Sequence, residues 1–237
     1  MTVFAPDTLF DAPQAPVDFA FDERTVAVFP DMIHRSIPGY AALLQMTAAV
    51  AGSFLQDDDH VYDLGCSLGG VSLAIKRFVA AEVRITAVDL SAAMVARLGD
   101  YVAGAGVKNL SVVQGDIVEM AFLPCKLAVL QFVLQFIAPE ARDGVLARIR
   151  AALAEDGALL VAEKTRPLHD AERVWHEGFK RAQGYSDLAI AQKRESLENV
   201  MKTDAAEDVE ARLRRAGFSR VIPYYQGFAF RAWVAMK

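Results

Sequence analysis

Cysteine is scarce: Cys66 and Cys125 are the only two among 237 residues. Two are too few for a disulfide framework. The N-terminus lacks a basic start followed by an apolar block, so no secretory signal is expected. Both thiols are then expected to stay reduced in the cytoplasm. Long apolar runs are missing as well. The most apolar stretch, Leu127 to Ala138, is interrupted by Gln131 and Gln135. It falls short of the roughly 18–20 residues that a membrane span requires. There is no basic surplus: 25 Lys and Arg against 30 Asp and Glu leave a net charge of −5. That balance gives no footprint for direct nucleic-acid binding. The four histidines, His34, His60, His169 and His176, are scattered without paired ligand spacing, so no metal is expected.

What is present is a hydrophobic content of 54%, enough for a sizeable core in one domain spanning residues 1–237. Residues 1–56 read as an N-terminal arm and cap. The first 20 or so, with Pro6, Pro13 and Pro16, are irregular. Phe21 to Tyr40, punctuated by Pro30 and Pro38, predicts short helical turns and a tight bend at Pro38-Gly39. Ala41 to Phe54 places Leu43, Leu44, Met46, Val50 and Phe54 at helical spacing.

Strands and helices then alternate. Strands are predicted at His60–Leu64, Val83–Val88, Leu110–Gln114, Leu127–Leu134 and Ala158–Glu163. Helices follow from Gly69, from Ser91 as N-cap, and from Pro139 to about Leu153. Glu155-Asp156-Gly157 reads as the turn into the fifth strand. Residues 168–203 break the rhythm as a helical insertion. Asp204, with Glu207 three residues on, suits an N-cap with a reciprocal partner. Arg212, Arg214, Arg215 and Gly217 suit that helix's C-terminal end. Phe218–Tyr225 and Gly227–Met236 close the chain as two strands. The pattern predicts an α/β fold: a doubly wound, seven-stranded, mostly parallel sheet with helices on both faces.

The stretch Val61-Tyr62-Asp63-Leu64-Gly65-Cys66-Ser67-Leu68-Gly69-Gly70 passes from a strand through a small-residue loop into a helix. Glycines there permit positive φ and close approach of a ligand to the backbone. A dinucleotide site requires G-x-G-x-x-G, and here the second glycine position is Ser67. The Gly-Lys-Ser/Thr ending of a Walker loop is absent too. Asp89 lies roughly twenty residues beyond the loop, where an acidic side chain reaches ribose hydroxyls. Asp116, after the third strand, suits an exocyclic amine such as adenine N6. Ribose and adenine without phosphate point to S-adenosylmethionine (SAM). Through Asp63-Leu64-Gly65-Cys66-Ser67, Asp89 and Gly115-Asp116, the chain resembles the class I SAM-dependent methyltransferase fold.

A nearer resemblance covers almost the whole chain. Asp7-Thr8-Leu9-Phe10, Phe21-Asp22-Glu23-Arg24, Val28 to Ile33 and Arg35 to Tyr40 resemble the N-terminal signature of the carboxy-S-adenosylmethionine synthase family. Phe179 to Ala182, Gly184-Tyr185-Ser186, Gln192-Lys193-Arg194 and Leu197 to Met201 are similar to it as well. The resemblance implies an enzyme that converts SAM and prephenate to carboxy-SAM and phenylpyruvate, without metal. Prephenate loses CO2 and hydroxide, the sulfonium methyl is deprotonated, and the resulting ylide captures the CO2. It also implies a homodimer whose product passes to a tRNA carboxymethyltransferase acting on a wobble uridine.

The same resemblance implies ligand contacts at Tyr40, Gly65, Cys66, Ser67, Asp89, Leu90, Asp116, Ile117, Gln131 and Arg194. Arg194 takes the catalytic role of recognising the new carboxylate, which an arginine grips with two parallel N–H donors. It belongs either to its own site or to the neighbouring subunit's. Gln131 stands where the family commonly has Asn, Leu90 where a polar Asn occurs, and the segment Thr165 to His176 is shorter than in the family. Cys66 sits at a helix N-terminus, a position that lowers thiol pKa values, but the implied chemistry uses no thiolate. Two rival readings remain: a conventional SAM-dependent methyltransferase of a small molecule or RNA, and a non-catalytic SAM-binding scaffold.

Overall fold

The computed structural model describes residues 5–237; the first four residues of the expected arm lie outside them. Residues 5–22 contain no helix or strand. Helix α1 (Glu23–Ser36) starts at Asp22, whose carboxylate accepts from the Thr25 N–H at 3.0 Å. The sequence predicts short turns here because Pro30 removes a helical N–H. The structure instead has one 14-residue helix with Pro30 inside it. Val28 and Met32, one turn apart, are buried, and packing of that face offsets the lost backbone bond. The bend at Pro38-Gly39 is where expected: Gly39 has φ +66° and caps α2 (Tyr40–Gly52).

One seven-stranded sheet follows. Its strands are β1 (His60–Leu64), β2 (Arg84–Asp89), β3 (Leu110–Gln114), β4 (Cys125–Gln131), β5 (Leu153–Lys164), β6 (Arg220–Gly227) and β7 (Phe230–Met236). They lie in the order β3-β2-β1-β4-β5-β7-β6. The first five are parallel, and β7 runs antiparallel between β5 and β6. This is the predicted doubly wound, mostly parallel sheet. Both faces are covered, as central parallel strands require. Tyr62, Leu130, Leu159 and Trp233 pack on one side with Leu146 of α5 (Arg142–Ala152) and Leu213 of α8 (Ala206–Arg215). Val61, Leu127 and Leu160 pack on the other with Ile75 of α3 (Gly70–Phe78) and Leu98 of α4 (Ala92–Ala105). Residues 168–203 form the predicted insertion as α6 (Asp170–Ala182) and α7 (Asp187–Glu198).

Several boundaries differ from the sequence reading. Strand β4 stops at Gln131 rather than Leu134, because Phe132 takes φ +63°. The next three N–H groups, of Val133, Leu134 and Gln135, turn to the Glu163 carboxylate at 3.1, 2.9 and 3.0 Å. Helix α5 starts at Arg142, not Pro139, and Glu155-Asp156-Gly157 lies within β5 rather than in a turn. Leu153 pairs with Cys125 ahead of a register shift, which extends the strand backwards. Asp204 does not cap α8; Ala205 occupies that position. The Asp204 carboxylate pairs with the buried Arg142 guanidinium at 2.7 Å instead, a stronger, charge-assisted use of the same group.

The sheet order reverses between β1 and β4, since β1 pairs with β2 on one side and β4 on the other. A crevice opens beyond the carboxyl ends of strands at such a switch point. Every loop containing a predicted SAM contact except those around Tyr40 and Arg194 leaves a strand there.

Candidate active site

The loop after β1 is shaped by its backbone. Gly65 has φ +72°, and a Cβ on it would lie 2.5 Å from Val133 Cγ2. Only glycine fits such a position. The N–H groups of Gly65 and Cys66 both donate to the Val88 carbonyl, at 2.7 and 2.9 Å, tying the loop to β2. Asp63, buried at the end of β1, accepts from the N–H and hydroxyl of Ser72 at 3.0 and 2.6 Å. Burial pushes its carboxyl up to about 6. Asp63 lies behind the loop, fixing the first turn of α3.

Asp89 ends β2 and accepts from the Ser67 N–H at 2.8 Å and the Ser91 N–H at 2.9 Å. Burial raises its pKa. Asp116 takes the Val118 N–H at 2.8 Å. Both carboxylates thus have their direction set by neighbouring backbone before any ligand arrives. Leu90, 66% exposed, and buried Ile117 offer apolar surface beside them.

These groups meet in one cavity of about 400 Å³, within the roughly 300–1,000 Å³ usual for small-molecule sites. Of the predicted contacts, Gly65, Ser67, Asp89, Leu90, Asp116, Ile117 and Gln131 line it. The Gln131 Nε2 amide is buried with no hydrogen-bond partner among the described residues, in a residue that lines the cavity, and a buried polar group without a partner is one that a ligand can satisfy. Its Oε1 accepts from the Thr47 hydroxyl at 3.3 Å. The narrow glycine turn, two oriented carboxylates, flanking apolar surface and an orphaned amide fit an adenosyl ligand.

Tyr40, Cys66 and Arg194 are not part of the cavity wall. Tyr40 is buried at the start of α2, where burial, with repulsion from Asp63, raises its phenol pKa. Its hydroxyl would lie 2.7 Å from a Cβ on Gly70. Cys66 is buried behind the loop, and desolvation pushes its thiol pKa up rather than down. That outweighs the helix terminus and keeps the sulfur unreactive. Arg194 on α7 is 60% exposed and pairs with Glu177 of α6 at 2.9 Å.

The far wall is built by segments distant in sequence. Phe19 and Phe21 of the arm, Phe29 and Met32 of α1, Phe136 and Phe230 supply apolar surface. Lys164 at the end of β5, His176 and Lys180 of α6, and Lys193 of α7 supply the polar groups. The Ser36 carbonyl sits 2.8 Å from His176 Nε2 and can only accept, so that nitrogen carries the proton. Desolvation, with nearby lysines, drives the His176 pKa down to about 3, leaving the ring neutral.

The arm is pinned over this wall by buried Asp7. Its carboxylate accepts from Tyr185 and lies 3.4 Å from Lys193 Nζ, while its N–H donates to Asp31 at 2.6 Å. Arg35 reaches the Asp7 carbonyl, Asp31 and the Gln183 carbonyl at 3.2, 2.9 and 2.8 Å. Sequence reasoning missed Asp7, Lys164, Lys180 and Lys193 as site builders. Three of them lie in the segments that carried the nearer resemblance, which drew attention to Arg194 alone. Lys164 had only its place at a strand's carboxyl end to mark it.

A methyltransferase-domain family model matches residues 61–157. The carboxy-S-adenosyl-L-methionine synthase of Dichelobacter nodosus is 55% identical over 237 residues, covering all of both chains. That of Pseudomonas syringae pv. tomato is 46% identical over 98% of each. The chain belongs to the carboxy-S-adenosyl-L-methionine synthase family. Among solved structures, a putative O-methyltransferase from Nostoc punctiforme superposes with a TM-score of 0.65 at 19% identity. The match covers 91% of this chain and 60% of that one. A SAM-dependent methyltransferase from Aquifex aeolicus gives 0.59 at 15% identity, over 92% and 99%. These two share the fold with the family member described here. No helix among the described residues is long and apolar enough to cross a membrane. Nor do they group three or more His, Cys, Asp or Glu residues where a metal ion would sit.

Proposed function

We propose that this chain carboxylates the methyl group of SAM, with prephenate as the CO2 donor and phenylpyruvate as the by-product. The observation that carries this reading is the reach of the similarity. It runs the full 237 residues, including the arm and α6–α7, whereas the general methyltransferase model stops at 61–157. A conventional methyltransferase would need the sheet and its loops but not this particular cap.

In this reading Asp89 takes the ribose hydroxyls and Asp116 the adenine amine, with Leu90 and Ile117 against the ring and the Gln131 amide toward the methionine portion. SAM supplies the sulfonium that acidifies the methyl group. The chain's own task is to hold two reactants together and keep water out, which suits a cavity lined by six phenylalanines. Arg194 recognises the new carboxylate. Because it is exposed and outside its own chain's cavity wall, we assign it to the neighbouring site of a homodimer. The product then serves a separate tRNA carboxymethyltransferase; the net charge of −5 offers tRNA no electrostatic footprint here.

Mass spectrometry of nucleosides after incubation with SAM and prephenate is expected to show a species heavier than SAM by one CO2, with phenylpyruvate alongside. Only unchanged SAM would sink the reading. Mixing inactive Arg194→Ala and Asp89→Ala chains is expected to restore turnover, because one site of each mixed dimer is then complete. No restoration in verified mixed dimers would return Arg194 to its own chain's site.

A further inference from the structure

We infer that Lys164, Lys180 and Lys193 form a cationic wall that binds a dicarboxylate co-substrate through its two carboxylates. The inference rests on the proposed reaction for the identity of that co-substrate. Its geometry stands independently of it.

The three lysines come from β5, α6 and α7, yet all line the one cavity. They are near enough that Lys193 and Lys164 both depress the ammonium of Lys180 by repulsion. Among the described residues only Lys193 has a carboxylate within ion-pairing distance, Asp7 at 3.4 Å, and it also reaches the Ser36 hydroxyl at 3.0 Å. Glu177 attracts Lys180, but it is engaged by Arg181 at 3.7 Å and Arg194 at 2.9 Å. Asp31 is engaged by Arg35. Lys164 faces the Phe230 ring, 6.0 Å from its centroid. Among the described residues, neither Lys164 nor Lys180 therefore has a carboxylate of its own within ion-pairing distance, and aromatic rings make up much of the wall around them.

Burying a charge costs several kcal/mol unless it is matched. Desolvation is the first cause lowering each of the three ammonium groups, to about 7 for Lys180 and about 8 for Lys193. Two unmatched cations beside an apolar surface call for a ligand with two anionic groups and a hydrocarbon body. SAM fits poorly. It brings one carboxylate and two positive charges, its ammonium and its sulfonium. The second reactant of the proposed reaction has one carboxylate on a six-membered carbocycle and a second at the end of its pyruvyl side chain. The aromatic rings of Phe19, Phe21, Phe29 and Phe136 supply matching surface.

The test is calorimetric binding of prephenate to protein saturated with S-adenosylhomocysteine, which lacks the methyl group and so blocks turnover. Wild type is expected to bind. Lys164→Met and Lys180→Met are each expected to weaken prephenate about thirtyfold or more, the usual loss when one partner of a buried charge pair is removed. Lys180→Arg, which keeps the charge, should recover most of it. S-adenosylhomocysteine affinity should not change, and melting at or above the wild-type temperature will show that the variants fold. Prephenate binding unaffected by both Met variants would overturn the lysine wall while leaving the proposed reaction standing. Equal weakening of both ligands would also overturn it, assigning the lysines to the methionine carboxylate. Failure of wild type to bind prephenate would instead remove the proposed co-substrate itself.

Discussion

The two ends of the cavity are built in opposite ways. At the strand end, Gly65, Ser67, Asp89 and Asp116 sit on loops leaving adjacent parallel strands, and the polar groups are oriented by backbone within a few residues or one strand away. At the cap end, the arm meets α6 and α7 across 178 to 186 residues of sequence, as Asp7 does with Tyr185 and Lys193. One end is fixed by local turns and a sheet; the other exists only when distant segments dock. The sheet that carries the strand end is a fold shared with structures under 20% identical, and in the proposed reading it cradles the adenosyl group. In the same reading the cap end selects the second reactant.

The cap is the easier end to break. Asp7 is 1% exposed and serves Tyr185 and Lys193 together, while its backbone joins Asp31 and Arg35. Asp7→Ala leaves a buried ammonium unpaired, a loss of about 3–5 kcal/mol when one partner of a buried pair is removed. Hydrogen exchange is expected to accelerate in residues 5–22 and α7, while β1, β4 and β5 keep their protection. Equal loss of protection across the sheet would mean that the two ends are one cooperative unit.

Gly65→Ala attacks the strand end. The left-handed conformation costs a side chain about 1–2 kcal/mol, and overpacking against Val133, where a Cβ would stand 2.5 Å from Cγ2, adds about 1–3 kcal/mol. SAM binding should collapse while exchange in the arm stays at its wild-type rate. Retained SAM affinity, measured by calorimetry, would show that the loop yields and that Val133 rather than Gly65 moves.

This division also explains what could be read from the sequence. Strand periodicity, Gly65 and the acidic residues at strand ends are local signals; the sheet and the crevice lie where they point, and Gly65, Asp89 and Asp116 line that crevice. Lys180 and Lys193 look like members of a solvated helix face, because nothing within one turn reveals which face docks. Asp204 was misread for a related reason. Its spacing to Glu207 is that of a cap, but Arg142, 62 residues earlier, competes for the carboxylate with a full charge. Pro30 within α1 is likewise decided by burial of Val28 and Met32, a tertiary fact. The full-length family resemblance carried information about the cap that periodicity lacked, although it did not say what the lysines do.

The smallest expected effect is also the one of opposite sign. Lys180 faces repulsion from Lys193, Lys164 and Arg194 and attraction from Glu177, and burial is the largest influence, lowering its pKa from 10.5 to about 7. Below pH 7 the ammonium is charged in both folded and unfolded chains, so folding bears the full cost of desolvating it. Between about 7 and 10.5 the unfolded chain holds more protons than the folded one, so this group's contribution to stability improves as pH rises. Above 10.5 both forms are neutral and the cost is gone. Lys180→Met removes the charge and keeps the hydrocarbon stem. It should stabilise the ligand-free protein at pH 6.5 by about 1–4 kcal/mol, the usual gain when a buried charge gives way to an apolar side chain. That advantage should shrink steadily toward pH 10. Urea unfolding of both proteins at pH 6.5, 8 and 9.5 measures the difference directly, with the titrations of other groups cancelling in the comparison. A variant less stable than wild type at pH 6.5 would mean that the Lys180 charge is already matched within the fold. The contrast between a satisfied strand end and an unmatched cap end would then fail at its central residue.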